Sequence, residues 1–303
     1  MRAKTKKIFL PGFSGLAFYD VARFFWQQVR KVGLTERTSA ISFNFIMAIP
    51  PMIIFFFTLI PYLPISKEFI KQLYGLIREV IPGKNNYTPI INFLNSILTH
   101  EQYGLLSLGF LLALFYSSNA MMGIMRAFDK NYPGFKKRSG IGRRVTALRL
   151  TLILFLIMLT SLLLLVMQGA VLKNWIGIRG AALRSIIENL RWVIIVFLFM
   201  ASVSFIYRHA PFVHKKWNLI NPGSVLATTL MLLFTVLFSY WVNHFSQYNQ
   251  LYGSIGSVLL LMLLIYFNSL VLLIGFELNV SINSLIHEAD ERKKLETSGK
   301  ATV

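Results

Sequence analysis

The run from Thr38 to Pro64, T-S-A-I-S-F-N-F-I-M-A-I-P-P-M-I-I-F-F-F-T-L-I-P-Y-L-P, contains no charged residue. It exceeds the roughly 20 apolar residues that cross the hydrocarbon of a bilayer, so it reads as a first transmembrane helix. Its middle carries the adjacent prolines Pro50 and Pro51, which remove two backbone donors and crowd the carbonyls one turn earlier. Carbonyls freed at membrane depth need protein, hydroxyl or water partners, so the helix is expected to pack against other helices along a kink. Five further apolar runs supply those partners: the expected spans are 40–63, 103–125, 145–172, 190–207, 222–242 and 253–278. Hydrophobic residues make up 55% of the chain, charged residues only 14%, and the mean hydropathy is +0.59. Such values exclude an ordinary soluble globule. The fold class is therefore all-α, a polytopic membrane protein of six transmembrane helices.

The net charge of +19 would suggest nucleic acid on a soluble protein, but its placement gives another answer. Of the 31 basic residues, 23 fall in the N-terminal segment, the 126–149 and 208–216 loops and the tail, while 8 fall in the alternate loops. That is the positive-inside pattern, with both termini cytoplasmic and an even number of spans. The expected partners are anionic lipid headgroups, with Arg143, Arg144, Arg149, Arg208, Lys215 and Lys216 as candidate contacts, and not nucleic acid. A homo-oligomer is compatible with this pattern. The chain holds no cysteine, which excludes disulfides, thiolate nucleophiles and Cys-ligated metals. The basic leader is broken by Pro11, Gly12, Ser14 and Gly15 and shows no cleavage site, so the first span is expected to serve as the insertion signal.

Three flanking pieces complete the domain plan of 1–37, 38–285 and 286–303. Phe18, Val21, Ala22, Phe25, Val29 and Val32 repeat at helical spacing opposite Asp20, Arg23, Gln27, Arg30 and Lys31, as in an amphipathic helix at the cytoplasmic interface. Gly33 ends it, and Thr35 or Thr38 can cap the helix that enters the membrane. Residues 66–100 are expected to form two short amphipathic helices on the outer face. The charged tail from His287 is expected to fray.

Four stretches in this order resemble one family: S-A-I-S-F-N-F-I-M-A-I-P-P, R-A-F-D-K-N-Y with its basic sequel, Y-R-H-A-P with N-P-G-S-V-L-A-T, and Y-G-S-I-G-S through G-F-E-L-N. Together they are similar to the YihY/BrkB family of bacterial inner-membrane proteins, over about residues 20 to 285. The resemblance implies six helices in the cytoplasmic membrane and little chemistry, since members carry both ribonuclease BN and virulence-factor labels.

The ribonuclease label requires clustered metal ligands. The five histidines, His100, His209, His214, His244 and His287, are scattered without ligand spacing, so the expectation is no enzyme, no metal and no cofactor. Gly12-Phe13-Ser14-Gly15 spells the G-x-S-G of some intramembrane proteases, but in a basic leader it reads as a flexible turn. Glu277 is the one carboxylate abutting an apolar span. An interfacial ion pair with Arg126, Arg149 or Arg208 is favoured for it over a proton or ion site. Asn44, Ser117, Asn119 and Asn268 lie within spans and are expected chiefly to hold helices together, with a polar pathway as the alternative. Gly253 and Gly256 open the last span and suit close packing. The leading functional reading is a transporter or exporter for a lipid or envelope precursor; the alternative is a membrane protein that organises lipids or partners without transport.

Overall fold

A computed structural model describes residues 15–31, 33–59, 103–129, 139–166, 181–213, 216–244 and 247–300, and single positions between 70 and 96. The outer-face segment expected over 66–100 and the leader before residue 15 thus lie largely outside the described residues, as does Lys215. Every described element is helical: α1 Phe18–Lys31, α2 Leu34–Leu59, α3 Tyr103–Phe128, α4 Gly140–Val166, α5 Ala181–His209, α6 Pro222–His244 and α7 Gln247–Lys300.

Helices α2, α3, α4, α6 and α7 each contain a stretch long and apolar enough to cross a membrane, and Val193–His209 of α5 is a shorter apolar helix. Exposed Phe43, Phe45, Leu111, Phe115, Leu156, Phe197 and Val236 give these helices the apolar exterior that hydrocarbon requires. The principal contacts run α2 to α3, α3 to α4, α4 to α5, α5 to α6, α6 to α7 and α7 back to α2, which closes a ring. One core fills its basic end, where Ile41, Met125, Phe128, Ala147, Leu150, Tyr207, Ala227, Leu273 and Phe276 are all buried. A second core lies deeper between α2, α3 and α4, built on Phe55, Ala113 and Phe155.

Helix α2 packs against other helices as expected, but not chiefly through Pro50 and Pro51 themselves. Helix α2 continues through both prolines, and Pro50 is exposed while Pro51 is half-buried. Packing is made instead by Ala48 and Phe55 on either side of the pair, with the Phe55 ring 5.4 Å from that of Phe110. Close approach of α2 to α3 comes from glycines on α3. A Cβ on Gly123 would stand 3.2 Å from Asn44 Nδ2, and one on Gly109 would stand 3.4 Å from the Phe55 backbone. Small residues permit such proximity between membrane helices.

Two boundaries also differ from expectation. Gly33 ends α1 in the left-handed region (φ 58°), as its freedom from a Cβ allows. Helix α2 then starts at once at Leu34, so Thr35 and Thr38 lie inside the helix and cap nothing. The tail does not fray after His287: α7 remains helical to Lys300. Its 54 residues extend about 80 Å at 1.5 Å per residue, well past any bilayer core. Helix α1 docks on this extension, with Val21 buried against Ile282 and flanked by Leu278, Leu285 and Ile286.

Candidate functional site

One part of each stretch that carries the family resemblance meets the others at the basic end of the ring: Ile41, Phe128, Tyr207 with Ala227, and Phe276 share one buried core. Helix α6 begins with Asn221 as its N-cap: Asn221 Oδ1 accepts from Ser224 N at 2.8 Å, and Ser224 Oγ accepts from Asn221 N at 3.2 Å. These two contacts satisfy donors that any helix start leaves orphaned. From α7, Asn279 Oδ1 accepts from Gly223 N at 2.8 Å, and Asn279 Nδ2 donates to Asn221 Oδ1 at 2.6 Å. The first turn of α6 is thus clamped side-on to α7.

Glycines make the clamp sterically feasible. A Cβ on Gly223 would meet the Gly275 carbonyl oxygen at 2.1 Å, and a Cβ on Gly275 would lie 2.5 Å from Tyr207 Oη and 2.6 Å from the Gly223 carbonyl oxygen. The same bareness of Gly275 lets the buried Tyr207 hydroxyl reach α7, where it donates to the Leu272 carbonyl at 2.6 Å. Phe276 beside it stacks on Phe128 with centroids 3.8 Å apart and planes 3° apart, and Trp217 closes in at 5.6 Å. Tyrosine, glycine and asparagine from three motifs are therefore one interlocked unit.

Glu277 sits in this unit and is fully buried. The cation beside it is Arg37, whose Nη1 stands 3.7 Å from Glu277 Oε1 and donates at 3.3 Å to the carbonyl of Ala127. Arg37 thus joins the first turn of α2 to the last turn of α3, whose final carbonyls lack intrahelical partners, and to α7. Its side chain is 28% exposed, so the pair has one face toward the basic end and one carboxylate inside the bundle. The partner differs from the expected Arg126, Arg149 or Arg208, and the carboxylate is enclosed by the bundle where the sequence reading favoured an interfacial position.

The other sequence candidates are distributed differently. Arg144 lies along α3, over the Phe115 ring at 4.8 Å, and donates to Asn119 Oδ1 and toward Met122 Sδ at 3.3 Å. Phe115, Asn119 and Met122 share one helical face, which explains how one guanidinium meets all three. Arg143 forms a 2.6 Å ion pair with Asp129 that ties the start of α4 to the end of α3. Asn44 and Asn268 donate to carbonyls one turn back in their own helices, Ala40 at 2.7 Å and Leu264 at 2.9 Å. Gly256 is buried in α7, and Gly253 falls in its first turns. Arg149 and Lys216 are exposed and Arg208 is half-buried.

Sequence reasoning missed Arg37, Tyr207, Asn221, Gly223, Gly275 and Asn279 as site residues. The available signal was their place inside the motif strings. Arg37 and Asn279 look like ordinary interfacial residues when each is weighed alone.

One hydroxyl on each of five successive helices has a buried oxygen with no hydrogen-bond partner: Thr38 on α2, Ser117 on α3, Thr151 on α4, Ser204 on α5 and Thr228 on α6. Elsewhere in the same helices hydroxyls bond their own backbone. Exposed Thr160 donates to Leu156 at 2.8 Å, and Ser202 to Leu198 at 2.9 Å. Among the described residues no group of three or more His, Asp or Glu could hold a metal ion.

Fold and site together define a multi-pass, all-α membrane protein whose helices lock at one end through a glycine, asparagine and aromatic unit around a buried carboxylate. The chain belongs to the Virulence factor BrkB family, whose description matches residues 25–300. It is 31% identical over 265 residues to the putative ribonuclease-like protein YfkH of Bacillus subtilis, covering 86% of this chain and 91% of that protein. It is also 24% identical to a UPF0761 membrane protein of Chromohalobacter salexigens, over 80% of this chain and 58% of that one. A UPF0761 membrane protein of Tolumonas auensis is 20% identical, over 86% and 84% respectively. No solved structure matches the chain.

Proposed function

We propose that this protein is a transporter-like component of the bacterial cytoplasmic membrane, its basic end in the cytoplasm, whose helix ring encloses a polar pathway for a lipid or envelope precursor. The observation that supports this reading is the set of buried, unpartnered hydroxyls of Thr38, Ser117, Thr151, Ser204 and Thr228, one from each of five ring helices. A hydroxyl facing hydrocarbon satisfies itself on its own helix, as Thr160 does. A buried hydroxyl left without a partner costs about 1–3 kcal/mol, which water or a polar solute entering the ring would offset. The Glu277–Arg37 pair at the basic end is the charged group such a pathway would meet.

A ribonuclease, as the name of the Bacillus relative words it, would need converging ligands or an acid–base pair. Glu277 is the one fully buried carboxylate among the described residues, and it is tied to Arg37. The second reading, lipid organisation without transport, has one observation in its favour. Tyr19, Arg23, Trp26 and Arg30 share an exposed face of α1, with the Arg30 guanidinium 5.0 Å over the Trp26 ring.

The absence of cysteine makes the chain a ready background for a test. Thr151→Cys, Ser204→Cys and Thr228→Cys should react with a membrane-impermeant charged thiosulfonate, because the attacking thiolate forms only where water reaches it. Leu156→Cys and Val236→Cys, on the apolar exterior, should not react. Absence of labelling at all three ring positions in folded protein would overturn the pathway and leave the lipid-organising reading.

A further inference from the structure

A second group of polar side chains at the basic end takes no part in the Glu277 unit. His209 closes α5, with Nδ1 3.1 Å from the Phe205 carbonyl and its ring 4.3 Å from the Phe205 ring. The charges that act on this imidazole are Lys216, Arg208 and Arg149, contributed by the α5–α6 loop, α5 and α4, and all are positive. Helical spacing agrees with that juxtaposition: Arg149 continues the exposed face of Val145, Leu152 and Leu156 on α4, and Arg208 that of Phe197 on α5, in helices that contact each other.

The cations around them are occupied differently. Arg37 faces Glu277, Arg143 faces Asp129, and Arg144 is held by Asn119. Among the described residues no carboxylate pairs with Arg149, Arg208 or Lys216. One turn into the bundle from Arg208, on the same helical face, Ser204 keeps its buried hydroxyl without a partner. Three cationic donors and a hydroxyl with no acceptor among them match the oxygens of a phosphate, which accepts several charge-assisted bonds at once.

We infer that Arg149, Ser204, Arg208 and Lys216 bind the phosphate of an anionic phospholipid seated between α4 and α5 at the basic end. A lipid fits better than a soluble phosphate because the helices beyond the cations are apolar and open. Val145, Leu152 and Leu156 of α4 and Val196, Phe197 and Phe199 of α5 are exposed, a surface for acyl chains directly below a headgroup site. The two arginines supply planar forks and the lysine a point charge, so the site distinguishes lipids by headgroup charge and by the phosphate itself. It rests on α4 and α5 lying in the membrane and on the three cations, not on transport, so an unlabelled ring would remove Ser204 from the site and leave the cations standing.

The test is retention of lipid by purified full-length protein, read by native mass spectrometry after exchange into nanodiscs of phosphatidylglycerol and phosphatidylcholine. Wild type should retain phosphatidylglycerol in preference, and Arg149→Gln/Arg208→Gln should lose about tenfold of that preference, since a charge-assisted bond contributes of order 1.5–3 kcal/mol. Arg23→Gln/Arg30→Gln on the exposed face of α1 should keep it. Arg149→Lys/Arg208→Lys, with the charge kept, should fall between and guards against a folding defect. Equal loss in the α1 pair would overturn the site in favour of a diffuse basic surface. So would unchanged retention in the Gln pair, or a melting temperature raised as much by inorganic phosphate as by phosphatidylglycerol.

Discussion

Glu277 shows how much one residue can disclose and where that stops. A lone carboxylate abutting an apolar run is visible in any reading of the chain, and its cost in a membrane marks it for attention. Its cation was not legible, because Arg37 lies far upstream beside other basic residues and nothing local distinguishes it. Only closure of the ring by α7 against α2 brings the two within 3.7 Å. Since the carboxylate is fully buried and Arg37 partly exposed, the two removals are unequal. Arg37→Met strands a buried charge and should cost roughly 2 kcal/mol, discounted from the 3–5 kcal/mol of a fully enclosed pair. Glu277→Gln keeps the shape and neutralises the buried member, so it should cost less. Arg37→Met/Glu277→Met should recover part of the loss, as apolar replacements of buried pairs do. Thermal melts of the three variants in one detergent measure this order, and additive losses would mean that the pair carries no coupling.

At the scale of elements, the apolar runs were legible because bilayer thickness fixes their length: five described helices are long and apolar enough to cross, and the shorter apolar helix Val193–His209 lies on the remaining run. The ends were not. The α7 extension reads as frayed by charge alone, yet residues 288–296 are good helix formers, and α1 gives 278–286 a packing partner. The prolines of α2 draw the eye more than the glycines do, and the structure reverses their importance. Pro50 faces outward, whereas Gly223 and Gly275 bring α6 and α7 into backbone contact. Gly275→Ala should therefore destabilise by about 2 kcal/mol or more through overpacking, although alanine is the better helix former. Gly104→Ala, where an added Cβ meets nothing within 4 Å, should be neutral or stabilising by up to about 1 kcal/mol. Melting curves of the two variants separate contact from propensity, because a propensity effect would move both in the same direction.

At the scale of the molecule, the ring bears on how many times the chain crosses through the place of α5 in it. Helix α4 leaves the basic end, where Ala147 and Leu150 are buried, and α6 starts from the same end, where Ala227 is buried with Tyr207 of α5. The chain must return between them, and α5 is the helix available to do so. Its apolar part, Val193–His209, is about 25 Å long, a little less than the roughly 30 Å hydrocarbon core. The whole helix of 29 residues is about 43 Å long and can complete the crossing with its polar first turns at the far interface. On the proposed reading α5 completes a sixth crossing, both termini share one side, and the positive-inside rule makes that side the cytoplasm. Fluorescent-protein fusions at the C-terminus and within residues 130–138 should then fluoresce, and a periplasm-dependent phosphatase should be active within residues 82–86 and 173–180. If α5 did not cross, the C-terminal reporter would invert while the one within residues 130–138 stayed bright. Parity of two fusions thus decides between five and six spans, and with it whether α6 and α7 can share the core that α2 and α3 build.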